Sequence, residues 1–149
     1  MAMRVMRLTV ADRDLARALF TLMADVFGEA HDALSDGYLD QLLSQEAFWA
    51  LAALAEDQLI GGLTAHTVPL TRTEASELFI YDIAVRPEHQ RQGVGRRLVA
   101  ELRAQAAAGG IREVFVAADN DDVHALDFYR ALGGTGAAVT IFTFTPQRT

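Results

Sequence analysis

Three features of the 149-residue chain carry residue types that could do chemistry. The first is Asp82, a carboxylate inside the apolar run "SELFIYDIAV". An unpaired carboxylate in a buried strand costs on the order of several kcal/mol. Asp82 is therefore either bonded to neighbouring backbone or to an arginine, or it meets a cationic group of a ligand. The second feature is "VRPEHQRQGVGRRL", Val85 to Leu98, which sets Gly93 and Gly95 one residue apart among four arginines. A helix starting there leaves several backbone N–H groups unpaired and carries roughly half a positive charge. Glycines at that end remove the Cβ atoms that keep a large anion away from those N–H groups. Arg91, Arg96 and Arg97 add charge, and a pyrophosphate suits the arrangement; a glycine-softened helix start with no ligand is the alternative. The dinucleotide fingerprint fails because Leu98 stands where its third glycine belongs, and a Walker loop fails because the chain has no lysine. The third feature is acidity. Residues 12 to 57 hold ten acids against two arginines, and Asp119 to Asp127 adds four acids and no base. This is either a solvated acidic surface or an electronegative cleft for a cationic substrate beside a basic patch for an anionic one.

Elements that could position these groups follow from periodicity. "VMRLTV" (Val5 to Val10) alternates as a strand, and "DRDLARALFTLMADVFG" repeats Leu15, Leu19, Leu22, Met23 and Val26 at helical spacing behind an Asp cap. "GEAHDALSDG" reads as a loop and "SDGYLDQLLSQ" as a short amphipathic helix. "AFWALAALAED" and "QLIGGLTAHTVPL" predict a hairpin turning at Glu56-Asp57, with "GGLTAH" itself read as turn-like. "SELFIYDIAV" reads as a central strand, "GRRLVAELRAQAAAGG" as a helix with a glycine stop, and "REVFVAAD" as another buried strand. "DVHALDFYRALGG" predicts a helix and "AAVTIFTFT" a last strand. The order β-α-α-β-β-β-α-β-α-β is that of an α/β (α+β) fold, a mixed sheet with helices on its faces, and 149 residues suit one domain spanning residues 1–149.

Composition narrows the function classes. A net charge of −7 argues against nucleic acid as partner. No apolar run approaches the roughly 20 residues that span a bilayer, and the opening residues turn polar after Val10, unlike a secretory signal. The absence of cysteine removes disulfides and thiolate chemistry and fits a reducing cytoplasm. His31, His66, His89 and His124 show no metal-ligand spacing, so no metal is expected. Trp49 and the phenylalanines fit core strand positions.

Two motifs together resemble the GNAT superfamily of N-acetyltransferases. Gln90-Arg91-Gln92-Gly93-Val94-Gly95 meets its acyl-CoA signature Q/R-x-x-G-x-G/A, and Asn120, Ala125, Tyr129 and Gly133 meet the second signature after the next strand. The order of elements is also similar, so the resemblance covers essentially the whole chain. "SELFIYDIAV", "DGYLDQLLSQEAFWALAA" and "VAADNDD" resemble more narrowly the small aminoglycoside 3-N-acetyltransferases of the gentamicin-resistance type. Asn120 and Asp121 depart from the aromatic and glycine of that group, and His124 from its proline, all in the acceptor region.

The resemblance implies a GNAT fold of six to seven strands and about four helices. It implies acetyl-CoA as cofactor, its pantetheine arm lying along the backbone of Ile83, Ala84 and Val85 and its pyrophosphate on the N–H groups from Gln90 to Arg96. Asp82 is then base or anchor for the substrate amine beside Tyr81, and Tyr129 the acid beside the CoA sulfur. Asp119 and Asp122 either bind further ammonium groups or cap a helix. Glu29, Asp32 and Asp36 lie on the loop over the acceptor, where solvated acids are the plainer account. The implied activity is acetylation of an aminoglycoside, at its 3-amino group, by a cytoplasmic homodimer. The alternatives are a GNAT for spermidine-like polyamines or a protein amine, and a non-catalytic acyl-CoA-binding module.

Overall fold

The computed structural model describes residues 2–147. Residues up to Ala117 form one compact unit and those from Ala118 onward a second. The first unit contains β1 (Met3–Arg7), α1 (Arg13–Phe27), α2 (Asp36–Ser44), β2 (Phe48–Ala55), β3 (Gln58–Pro69), β4 (Ser76–Val85), α3 (Val94–Ala108) and β5 (Glu113–Val116). The second contains α4 (Val123–Ala131). The sheet runs β1-β2-β3-β4-β5, antiparallel until β4 and β5, which are parallel and joined through α3.

Local chemistry explains most boundaries. Thr9 and Asp12 form a capping box before α1, and Gly28 ends that helix in the left-handed conformation at φ 68°. Glu56 and Asp57 both take positive φ, 51° and 63°, the backbone of the two-residue turn that suits the right-handed twist of a hairpin. The turn closes on the pair Ala55 and Gln58.

Every residue of β2 is buried, because helices cover both faces of the sheet there. One face packs Trp49, Leu51, Ala53, Leu63, Leu78 and Ile80 against Val94, Leu98, Leu102 and Ala106 of α3. The other packs Phe48, Ala50, Ala52 and Leu54 against Ala16, Leu19, Leu22 and Met23 of α1. Burying each leucine contributes about 1.5–3 kcal/mol. The alanines of β2 keep the sheet surface low enough for both helices to approach.

The structure corrects three readings. "GGLTAH" is strand interior: Gly61 and Gly62 lie within β3, and a Cβ on Gly62 would sit 2.4 Å from Leu19 Cδ1 and 2.5 Å from the Leu51 carbonyl oxygen. These glycines mark close approach of a helix and a neighbouring strand, not a change of direction. The first strand covers Met3–Arg7, earlier than Val5 to Val10, because the capping box at Thr9 turns the chain. The GNAT architecture has five strands here, fewer than six to seven, since "AAVTIFTFT" joins no ladder among the described residues.

Candidate active site

Strand β4 positions the chemistry through two irregularities. Against β3, Thr64 pairs with Asp82 but Ala65 pairs with Ile80, so Tyr81 is an extra residue in a bulge. Regular alternation would put Ile80 and Ala84 on one face. Instead Leu78 and Ile80 pack on the α3 side, as do Ile83 and Val85, while Ala84 joins the α1 side. The bulge inverts the alternation and leaves Asp82, in phase with Ala84, facing the α1 side of the sheet. The second irregularity is where pairing stops. β5 meets β4 only from Glu77 to Ile80. From Tyr81 to Val85 no strand pairs with that edge of β4 among the described residues, although its other edge remains paired with β3 at Ile83, Ala84 and Val85. An extended chain segment of a ligand can lie along such an edge by strand addition.

Asp82 is half-buried, and its carboxylate makes no hydrogen bond or ion pair among the described residues. Burial first, and the negative charge of Glu29 second, push its carboxyl pKa upward from the ordinary value. Glu29 follows Gly28, whose left-handed turn carries the chain out of α1 while the Glu29 N–H bonds back to the Ala24 carbonyl at 2.9 Å. Asp32 is an exposed residue of the same loop. Asp36 is committed differently: its carboxylate pairs with Arg13 at 3.5 Å and with Arg17, tying α2 to α1.

Beyond Val85 the chain makes the anion-binding turn. The Gln90 side-chain amide donates to the Val85 carbonyl at 3.0 Å, and that of Gln92 donates to the Glu88 carbonyl at 3.3 Å. Arg91 takes positive φ, 62°, and Gly93 follows at 85° as the N-cap of α3. No atom lies within 4 Å of where a Gly93 Cβ would be, so its backbone conformation and the open space before the helix explain the residue type. Val94 is buried as the helix's first hydrophobic anchor, while Arg96 and Arg97 stay exposed. Gly95 lies in the first turn of α3. The turn brings the free backbone N–H groups of a helix start and three exposed arginines, Arg91, Arg96 and Arg97, into one short segment, a fit for a pyrophosphate.

Tyr129, Asn120, Ala125, Asp119 and Asp122 belong to the second unit. Asp122 caps α4, its carboxylate accepting from the Ala125 N–H at 3.1 Å. The Asp119 carbonyl accepts from the Asp122 N–H, and Asn120 is exposed between them. Tyr129 sits on α4 with its ring edge-on to Phe128, centroids 5.2 Å apart. Gly133, at φ 92°, stops the helix, and the Gly134 N–H bonds to the Tyr129 carbonyl.

One group escaped sequence reasoning. Rings of Phe48, His66, Tyr81, Phe79 and Phe115 form a continuous row across β2 to β5, with Phe79 and Phe115 stacked at 4.9 Å. Tyr81 is 64% exposed and Phe115 42%. The row borders Asp82, and nothing but the cross-strand register assembles it, so no sequence signal announces it. Among the described residues no three His, Cys, Asp or Glu side chains cluster as a metal site, and no helix is long and apolar enough to cross a membrane.

Residues 15–133 match the acetyltransferase (GNAT) family. The chain belongs to this family. Two aminoglycoside acetyltransferases from uncultured soil metagenomic samples share the fold of this GNAT protein along almost its whole length. One superposes with a TM-score of 0.94 at 29% identity, covering 99% of this chain and 100% of that one. The other, solved in complex with sisomicin, gives 0.93 at 32% identity, covering 97% of each chain. A shorter likeness, 42% identity over 64 residues, links this acetyltransferase to the N-alpha-acetyltransferase RimI of Mycobacterium tuberculosis. That match spans 43% of this chain and 39% of RimI.

Proposed function

We propose that this GNAT protein is an acetyl-CoA-dependent N-acetyltransferase of aminoglycosides, acting at the 3-amino group as a single catalytic domain of residues 1–149. The observation that carries the reading is Asp82: a half-buried carboxylate with a raised pKa, beside the open edge of β4 and one residue from Ile83. Likeness to two aminoglycoside acetyltransferases, one holding sisomicin, supports the acceptor class.

Acetyl-CoA would lie along Ile83, Ala84 and Val85, with its phosphates on the turn from Gln90 to Arg96 and Asn120 and Ala125 contributing from the second signature. Bound there, it supplies the acetyl group as a thioester. Asp82 accepts a proton from the incoming ammonium, directly or through water, and frees the nitrogen lone pair for attack on the thioester carbon. A β4 backbone N–H hydrogen-bonds the carbonyl oxygen as charge develops on it. The new C–N bond would form as the C–S bond breaks, the Tyr129 hydroxyl would give its proton to the departing sulfur, and the second proton shed by the acylated nitrogen would restore the tyrosine through water. The remaining ammonium groups would meet Tyr81 and the carboxylates of Glu29, Asp32 and Asp36, and the family resemblance adds Asp119 and Asp122, with Asp36 and Asp122 also holding their structural bonds. Acetylation removes one positive charge from an antibiotic that binds RNA phosphates through its ammonium groups, and so confers resistance. The enzyme works in the cytoplasm as a homodimer.

Thiol release from acetyl-CoA, with gentamicin, kanamycin, spermidine and an N-terminal peptide in parallel, tests the reading. Turnover on gentamicin, with NMR locating the acetyl group on the 3-amine, is expected. Turnover confined to spermidine or the peptide overturns the acceptor assignment, and the partial likeness to RimI makes the peptide the stronger rival. Asp82→Asn and Tyr129→Phe should each slow transfer about 100-fold or more, the usual worth of a general base or acid, while acetyl-CoA affinity stays within a few-fold. An unchanged rate removes that residue from the mechanism.

A further inference from the structure

Among the described residues Thr64 is the one buried polar side chain, 7% exposed. It interrupts the run from Gly61 to Ala65, which is otherwise glycine, leucine and alanine. Its hydroxyl makes no hydrogen bond among the described residues. Thr67, on the same strand, shows the ordinary arrangement: its hydroxyl accepts from the Trp49 indole N–H at 2.9 Å. Burying a hydroxyl without a partner is unfavourable, and valine, of nearly the same shape, fits a strand interior without that cost. The hydroxyl of Thr64 is a polar group that the chain itself leaves unused.

Cross-strand register places it beside the candidate base. Leu63 and Ala65 pack on the α3 side, so Thr64 between them faces the α1 side. Its partner on β4 is Asp82, which faces the same side, and the bulge at Tyr81 comes immediately after this pair. Side chains directly opposite on one face have Cβ atoms about 4.5–5.5 Å apart. Along β3 the α1 side passes from Gly62, where Leu19 lies close, through Thr64 to the exposed His66. Thr64 stands where the cover of α1 ends.

We propose that the Thr64 hydroxyl is a second contact of the reacting amine, accepting one N–H beside Asp82 and so aiming the nitrogen lone pair. A neutral primary amine has one bond to carbon, two N–H bonds and one lone pair. Asp82 alone holds one N–H and leaves the nitrogen free to turn about that bond. With Thr64 holding the second, the lone pair takes the one remaining direction. β3 lies on one side of Asp82, and on the other no strand pairs with β4 from Tyr81 to Val85 among the described residues. An N–H held on the β3 side turns the lone pair toward that unpaired edge, where the acetyl thioester would lie.

This rests on the acetyl-transfer reading, and the test separates the two. Wild type, Thr64→Val and Thr64→Ser are compared by thiol release from acetyl-CoA with gentamicin, spermidine and an N-terminal peptide. On the amine that the wild type turns over, Thr64→Val should lower kcat about 10- to 100-fold, the worth of one hydrogen bond to a charged partner. KM should stay within a few-fold, and the melting temperature should match the wild type or rise, since an unpartnered hydroxyl is gone. Thr64→Ser keeps the hydroxyl but loses a buried methyl, so it should melt lower and yet recover most of the rate. A full-rate Thr64→Val overturns the inference and leaves acetyl transfer standing. A Thr64→Ser as slow as Thr64→Val also overturns it, because the loss then follows shape and not the hydroxyl. If Thr64→Val does not fold, Thr64→Ala against Thr64→Ser reads the hydroxyl at nearly equal size, and equal rates overturn the inference. A wild type active on spermidine alone overturns only the aminoglycoside assignment, and one inactive on every amine overturns both.

Discussion

Two stretches of this acetyltransferase have nearly the same kind of sequence and opposite situations. "SELFIYDIAV" and "AAVTIFTFT" are both runs of β-branched and aromatic residues with few polar interruptions. The first is β4, paired with β3 along its length and with β5 over four residues. The second has no ladder partner among the described residues, and its phenylalanines are exposed. Strand propensity describes fit to a pleated, half-covered surface, and a chain cannot supply that surface from within the strand itself. β4 gains it because β3 arrives by a tight hairpin from β2 and α3 returns the chain beside it.

The comparison can be broken most forcefully by equal truncations in the two stretches. Ile80→Ala in β4, where the side chain is 3% exposed, should cost about 2–5 kcal/mol of stability by urea denaturation. Ile141→Ala, where the side chain is 74% exposed, should change it by less than about 0.5 kcal/mol. Equal losses would mean that residues 137–145 are packed within the chain.

A smaller contrast uses glycine. Gly62→Ala forces a Cβ against Leu19 and the Leu51 carbonyl, an overpacking expected to cost about 1–3 kcal/mol. Gly136→Ala meets no atom within 4 Å and has no positive φ, so its melting temperature should match the wild type or rise slightly. A neutral Gly62→Ala would show that α1 can draw back from β3.

The smallest effect is a shift in pH dependence. The folded-state pKa of Asp82 is raised, so the folded protein holds this proton more tightly than the unfolded chain. The stability this contributes is present at low pH and is lost as pH rises through the folded pKa. Asp82→Asn should therefore leave stability at neutral pH unchanged or higher, even as activity falls. In the wild type, activity should rise with pH as Asp82 ionises. Glu29→Gln, by removing the second cause of the shift, should move that rise to lower pH. A pH profile indifferent to Glu29→Gln would separate the α1 loop from the site.

Much of the candidate site was legible in the chain because its cues are local. Asp82 stands out as a charge in an apolar run, and Gly93 as a glycine where a helix begins. Leu15, Leu19, Leu22 and Met23 announce α1 by spacing alone. Asp122 left two readings open in sequence, and the hydrogen bond to the Ala125 N–H gives it a cap. Asp36 read as a loop acid over the acceptor, but Arg13 and Arg17, one turn apart on α1, engage it.

By itself, the sequence determined the helices, the hairpin turn at Glu56-Asp57 and the glycine turn before α3, because capping, turn conformation and periodicity act over a few residues. Only the tertiary structure decided the bulge at Tyr81, the open edge of β4, the field of Glu29 on Asp82 and the aromatic row from Phe48 to Phe115. Each depends on which residue of a distant strand or helix lies opposite. An extra residue in one strand changes that partner without leaving a mark in the order of amino acids.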